Sequence, residues 1–329
     1  MCTMNHKSRE NCGLKTIRKY QFSAYAKINL HLAIGEKRQD GFHDLQSIFL
    51  LVNLCDTLSF CYDKNSTYIE NGMQGIQIEI ITENLPQVFL EEIKNLPQEK
   101  NIVFKAVQLF KEKTGFEFRG KIKITKRIPS AAGLGGGSSD AAATIMALNK
   151  IGSTNCLPDV MYDMAEQLGS DVPFFLSKMQ CAYVCGRGEQ INHIKEPTGL
   201  CYVLVNPGLK SNTKTAFNLI DTYREEKKIE KIFSLVLGQR ERNILAQSLQ
   251  IDPMLWKFKN DFTGAFVNCI NETGINYEEI LQDIKKNGAA FANISGSGAT
   301  CFGVFKNKKT AAVAVKKLQT KYPFVQYCL

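Results

Sequence analysis

The chain has 329 residues, 44% of them hydrophobic and 22% charged, which supplies one large core or two modest ones and excludes wholesale disorder. Its net charge is +9, but the basic residues are scattered and no RNA-recognition or zinc-finger pattern accompanies them, so phosphorylated small molecules rather than nucleic acid are the expected partners. No run of about 18 apolar residues occurs, so no membrane partner is expected, and the 11 cysteines, odd in number and without CxxC spacing, read as reduced thiols of a cytoplasmic protein.

Residues 1–19 carry no apolar segment and are expected to form a disordered lead-in. The stretches 20–35 (YQFSAYAKINLHLAIG), 45–54 (LQSIFLLVNL), 56–62 (DTLSFCY) and 75–84 (GIQIEIITEN) read as strands. A loop over 84–101 follows, and then a helix over 101–115, with Asn101 as cap and Gly115 as stop. KIKITKRI (121–128) is a further strand whose lysines are expected to face solvent. The spacing predicts a serine-capped helix over 138–152 and a second helix over 158–169, each stopped by glycine.

Past residue 200 the texture changes. CYVLVNPG is a strand, 225–239 is a charged-then-apolar helical segment, and 276–288 is a helix closed by glycine. Residues 289–306 read as strand, glycine turn, strand, and the chain closes with a helix and a strand. Strands and helices that do not alternate strictly predict two α+β domains, 20–200 and 201–329.

The segment IPSAAGLGGGSSDAAA (128–143) holds four glycines in a short span, against an average of about 7% glycine in soluble proteins. A linker would be polar, repetitive and placed between domains. This segment instead joins a strand to a good helix inside one domain, where glycines permit positive φ and close backbone approach. Unpaired N–H groups at the helix start then attract phosphate. It is not a Walker A loop, because no lysine follows the glycines, and the first strand carries no dinucleotide fingerprint. A tight turn whose glycines serve packing alone is the competing reading.

PSAAGLGGGSSDAA (129–142) resembles the phosphate-binding motif of the GHMP kinases, the superfamily of galactokinase, homoserine, mevalonate and phosphomevalonate kinases. AYAKINLHLAIGEKRQDGFHDLQSIF (24–49) resembles the N-terminal motif of that family, and NISGSGATCFGVF (293–305) its C-terminal glycine-rich motif. AKINLHL with DGFHDLQ is similar to the branch whose acceptor is cytidine diphosphate methylerythritol, and LGSDVPFFL, GRGE and NDF fit the same branch. The resemblance implies an α+β, two-domain GHMP kinase fold. Its N-terminal, ATP-binding domain would be ribosomal protein S5 domain 2-like, with a left-handed crossover, and its C-terminal domain ferredoxin-like. It also implies ATP-dependent phosphorylation of the 2-hydroxyl of that acceptor in the non-mevalonate (MEP) isoprenoid pathway, with Mg²⁺ accompanying ATP and its ligands unassigned. The alternative is another small-molecule kinase of homoserine or mevalonate type. A monomer or weak homodimer is expected, in the plastid stroma if the source bears plastids.

By the same resemblance, ATP phosphates lie over Pro129, Ala131, Ala132, Gly133, Leu134, Gly135, Gly136, Gly137, Ser138 and Ser139. Asp171 matches the catalytic base and Lys27 its charge-stabilising partner, although by spacing alone they read equally as a turn acid and a strand lysine. Asn29, two residues from Lys27 on the same strand face, lies beside the acceptor hydroxyls. Phe42, where the family often has tyrosine, keeps an aromatic face for the cytosine while losing a hydroxyl contact. His43 reads the base through backbone and ring, Phe217 is the second aromatic of the sandwich, and Thr213 precedes it. Asp140 would repel phosphate unless turned away and is expected to cap the helix. The segments 84–101 and 220–258 depart from the family pattern.

Overall fold

The computed structural model describes residues 18–63, 69–70, 73–90, 93, 96–227, 239–266 and 274–329. The lead-in up to residue 17 and most of the helical segment expected over 225–239 lie outside them, as do parts of the 84–101 loop. Two compact units form. Of the described residues, one takes those within 18–26, 55–129 and 135–178, and the other those within 27–54, 130–134 and 179–329. Two long strands, β1 (Arg18–Lys37) and β2 (His43–Tyr62), pair with each other and run through both. The expected strands 45–54 and 56–62 are therefore one. Asp56, which reads as a break in sequence, is fully buried and ion-paired, so the acid leaves the ladder intact.

After the short pair β3 (Ile69–Glu70) and β4 (Met73–Gln74) comes β5 (Ile76–Thr82), which lies parallel to β6 (Gly120–Lys126) in the first unit. β6 in turn pairs antiparallel with the C-terminal half of β2, Leu58 opposite Ile124. The helices α1 (Ile102–Thr114), α2 (Gly136–Gly152), α3 (Pro158–Leu168) and α4 (Val172–Ser177) pack together in that unit. Asn101 caps α1 by accepting from the Val103 N–H at 2.9 Å, and Gly115 closes it in the left-handed region. Gly152 is not the left-handed stop expected for α2. That place falls to Ser153, while Gly152 is small because the Phe116 ring occupies the space a Cβ would need.

In the second unit the N-terminal half of β2 pairs with β7 (Cys181–Gly186), which pairs with β8 (Gln190–His193). A separate antiparallel sheet has the order β12–β9–β11–β10, from β9 (Cys201–Asn206), β10 (Phe291–Ile294), β11 (Cys301–Phe305) and β12 (Phe324–Cys328). Numbered within this sheet the order is 4-1-3-2, which is the ferredoxin-like βαββαβ arrangement. The remaining helices are α5 (Thr213–Lys227), α6 (Gln239–Ser248), α7 (Asp261–Phe266), α8 (Tyr277–Lys286) and α9 (Lys308–Leu318). Phe262, Phe266 and Tyr277 stack in series at the centre of the core that α5 and α7–α9 share with the sheet. Among the described residues no helix is long and apolar enough to cross a membrane.

One buried histidine makes this second unit acid-sensitive. His31 Nδ1 accepts the Lys259 N–H at 3.2 Å, and burial, aided by the Lys259 charge, lowers the ring from 6.5 to about 4. The unfolded chain therefore binds a proton that the native chain refuses between those values. Stability is present in full above pH 6.5 and falls as pH drops toward 4, by about 3 kcal/mol at most. A His31→Gln variant should flatten the melting-temperature profile over that window; an unchanged slope would exclude His31 as its source.

Candidate functional site

The glycine loop leaves β6 and turns through three left-handed residues, Ala131, Gly133 and Gly135, before α2 begins. A Cβ on Gly133 would collide with the main-chain oxygen of Ser295, so that position admits only glycine. The C-terminal glycine-rich turn is what holds the 130–134 segment. Ser295 Oγ donates to the Gly133 carbonyl at 2.8 Å, the Thr300 N–H donates to Ala132 O at 3.2 Å, and the Ser211 N–H to Ala131 O at 2.9 Å. Asn260 braces the same turn, its amide donating to the Ile294 and Gly296 carbonyls. The sequence motif NDF thus serves a turn far from it in the chain.

The helix starts two residues earlier than expected. Gly135 is its cap, with no side chain to offer, and the first intrahelical bond runs from the Ser139 N–H to Gly135 O at 2.9 Å. The N–H groups of Gly136, Gly137 and Ser138 precede that bond and have no partner within the helix. Ser138 and Ser139 stand in the first turn rather than capping it, which corrects the serine cap read from sequence. An uncapped first turn carries the positive end of the helix dipole and suits an anion.

Asp140 does not cap the helix either. Its Oδ2 accepts from the Lys126 ammonium at 2.7 Å, and Lys126 also pairs with Asp56. Asp56 is held in turn by the Arg127 and Ile128 N–H groups at 2.6 and 2.9 Å. Burial pushes Asp140 up to about 7, Lys126 opposing the rise and Asp56 adding to it. Burial alone would pull the Lys126 ammonium down, but the two carboxylates outweigh it and hold it above its usual value. The basic patch 121–127 therefore does not lie wholly in solvent as expected, since its Lys126 is buried. Asp56 and Lys126 were not legible as site residues. The one available signal was an acid alone in an apolar strand.

On β1 the structure brings Lys27 and Asn29 together. Lys27 Nζ donates to Asn29 Oδ1 at 2.7 Å and lies 4.4 Å over the Phe49 ring, and the side chain is only 4% exposed. Asn29 Nδ2 donates to Ser47 Oγ at 2.9 Å, and Ser47 Oγ donates to the His31 carbonyl at 2.6 Å. The Lys27 N–H also donates to Leu134 O at 3.0 Å, tying the strand to the glycine loop. Ser47 is a positioning residue that sequence reasoning missed.

His43 Nδ1 donates to the Gly35 carbonyl at 2.9 Å, and Nε2 faces Asp221 at 3.4 Å. Its ring stacks on Phe217 at 5.1 Å between centroids. Phe42, by contrast, is 54% exposed with the Arg187 guanidinium 5.0 Å over its ring. Thr213 opens α5, its hydroxyl 3.3 Å from Ser297 Oγ. In the first unit Asp171 is the N-cap residue of α4, half-buried. The apolar run VPFFL after it is helical, Pro173 near the helix start presetting a helical φ, although its apolar character alone would also suit a strand. Among the described residues no group of three His, Cys, Asp or Glu side chains could hold a metal by itself.

A strand–glycine loop–helix locked by a second glycine turn, joined to a ferredoxin-like sheet, defines the class. The GHMP kinases N terminal domain matches residues 101–178, and the GHMP kinases C terminal domain matches 272–323. A protein of Caldanaerobacter subterraneus subsp. tengcongensis named 4-diphosphocytidyl-2-C-methyl-D-erythritol kinase is 32% identical over 93% of this chain and 95% of its own. One of that name from Syntrophus aciditrophicus is 32% identical over 92% and 96%. A crystal structure of 4-(cytidine 5'-diphospho)-2C-methyl-D-erythritol kinase covers 94% of this chain and 98% of its own at 24% identity with a TM-score of 0.68. The mevalonate kinase of Methanococcus jannaschii shares the fold at 14% identity, covering 94% of this chain and 97% of its own with a TM-score of 0.63. The chain belongs to the 4-diphosphocytidyl-2-C-methyl-D-erythritol kinase family of the GHMP kinases.

Proposed function

We propose that the protein transfers the γ-phosphoryl group of ATP to the 2-hydroxyl of 4-diphosphocytidyl-2-C-methyl-D-erythritol, a step of the non-mevalonate isoprenoid route. The observation that carries the phosphate side is the uncapped first turn of α2, whose N–H groups at Gly136, Gly137 and Ser138 precede the first intrahelical bond. The name shared by the curated relatives supports the acceptor. In this reading Asp171 takes the hydroxyl proton, a P–O bond forms at the acceptor oxygen, and the bond to the departing ADP breaks. Lys27, fixed by Asn29, stabilises the charge on the transferred group. Magnesium bound with the triphosphate would neutralise charge on its phosphate oxygens. The division near residue 200 belongs to the same reading, with residues 20–200 serving ATP, and the two domain matches falling on either side support it.

For the base we assign Phe42 as the exposed stacking face. Because the ring nitrogens of His43 face Gly35 O and Asp221, the contact to cytosine falls to its main chain. A coupled ADP-release assay with the cytidyl acceptor, homoserine and mevalonate tests the substrate. Turnover of either of the last two without the first would overturn it. Phe42→Ala should raise KM for the cytidyl acceptor about tenfold through lost stacking, leaving ATP affinity unchanged. A change confined to ATP would misplace the loop.

A further inference from the structure

The Asp56–Lys126–Asp140 cluster lies directly beneath the start of α2. A Cβ built on Gly136 would stand 3.6 Å from Lys126 Nζ and 2.9 Å from Ile128 Cγ2, so the ammonium is packed against the first residue of the helix. Asp56 has both oxygens engaged, Oδ1 by two main-chain N–H groups and Oδ2 by Lys126. Asp140 has one, for its Oδ1 is buried with no hydrogen-bond partner. A carboxylate needed only to anchor a lysine is rarely left half-satisfied in a protein interior. With both acids ionised the three groups sum to one negative charge, its positive member at the helix end and Asp140 one turn further in.

We propose that Asp140 is a positioning residue for nucleotide binding, whose buried negative charge, acting through Lys126, offsets the positive potential of the α2 N-terminus and sets how tightly it holds phosphate. The inference rests on the reading of that helix end as the ATP phosphate site. Among the described residues no other charge bears on Asp140 than Lys126 of β6 and Asp56 of β2. The helices packed against α2 bury apolar side chains, among them Val103 and Phe104 of α1, Met164 of α3 and Phe174 of α4.

Asp140→Asn keeps the shape and the acceptor for Lys126 while removing the charge. Calorimetric titration at pH 8.5, above the value to which burial lifts Asp140, should find ATP bound about tenfold tighter than by the unaltered protein, ADP a few-fold tighter, and adenosine unchanged. Asp140→Ala should move the same affinities in the same order. A structural defect would weaken all three ligands together, so tightening graded by ligand charge is specific to the proposal. Equal or weaker ATP binding in both variants, or failure of both to fold, would overturn it. If the unaltered protein bound adenosine no less well than ATP, the phosphate site itself would be misassigned, and this inference would fall with it.

Discussion

Replacing Asp171 by alanine should lower turnover by roughly 10²- to 10⁴-fold, the usual contribution of a positioned general base. ATP affinity should stay within about twofold, since the substitution leaves the glycine loop and the first turn of α2, which are assigned to the phosphates, unaltered. The side chain sits at the cap of α4, half-buried, with Val172, Pro173 and Phe174 buried behind it. Because the side chain is only half-buried, the substitution removes little packing. Steady-state rates together with an ATP titration decide the matter. Near-normal turnover would remove Asp171 from the mechanism, whereas loss of ATP binding along with activity would point to a folding defect instead.

Lys126→Met should be strongly destabilising, costing about 3–5 kcal/mol. It strips the ammonium from between Asp56 and Asp140, leaving two buried carboxylates facing each other with no cation. The urea midpoint should fall, and adding Asp140→Asn to the same protein should restore part of the loss, because one of the two uncompensated charges is then gone. Strict additivity of the two substitutions would mean that the groups do not interact as the distances require.

Much of this was legible in the chain. Period-two alternation marked the strands of 20–35 and 75–84, Asn101 and Gly115 bracketed α1 as read, and the glycine cluster was placed between strand and helix. Local rules failed where burial came from elsewhere. The strand was read as stopping at 54 and restarting at Asp56, whose burial is compensated only by Lys126 from a distant strand, and the lysines of 121–127 read as a solvent face for the same reason. β1 is buried on both faces from Lys27 to Ala33, so the parity of Lys27 could not be read from its neighbours.

The sequence by itself determined the loop and its glycines and nominated the groups to which the chemistry is assigned, because those depend on backbone freedom and residue type over a few positions. Only the tertiary structure decided how the groups are aimed. Asn29 orients Lys27, the 295–298 turn holds Gly133 in place, and His43 lies on Phe217. Asp140 turns inward to a lysine rather than capping its helix. The contacts at Gly133 and His43 join residues far apart in the chain, and the cost of burying a charged group such as Lys126 or Asp140 is met only once the fold brings its partner to it.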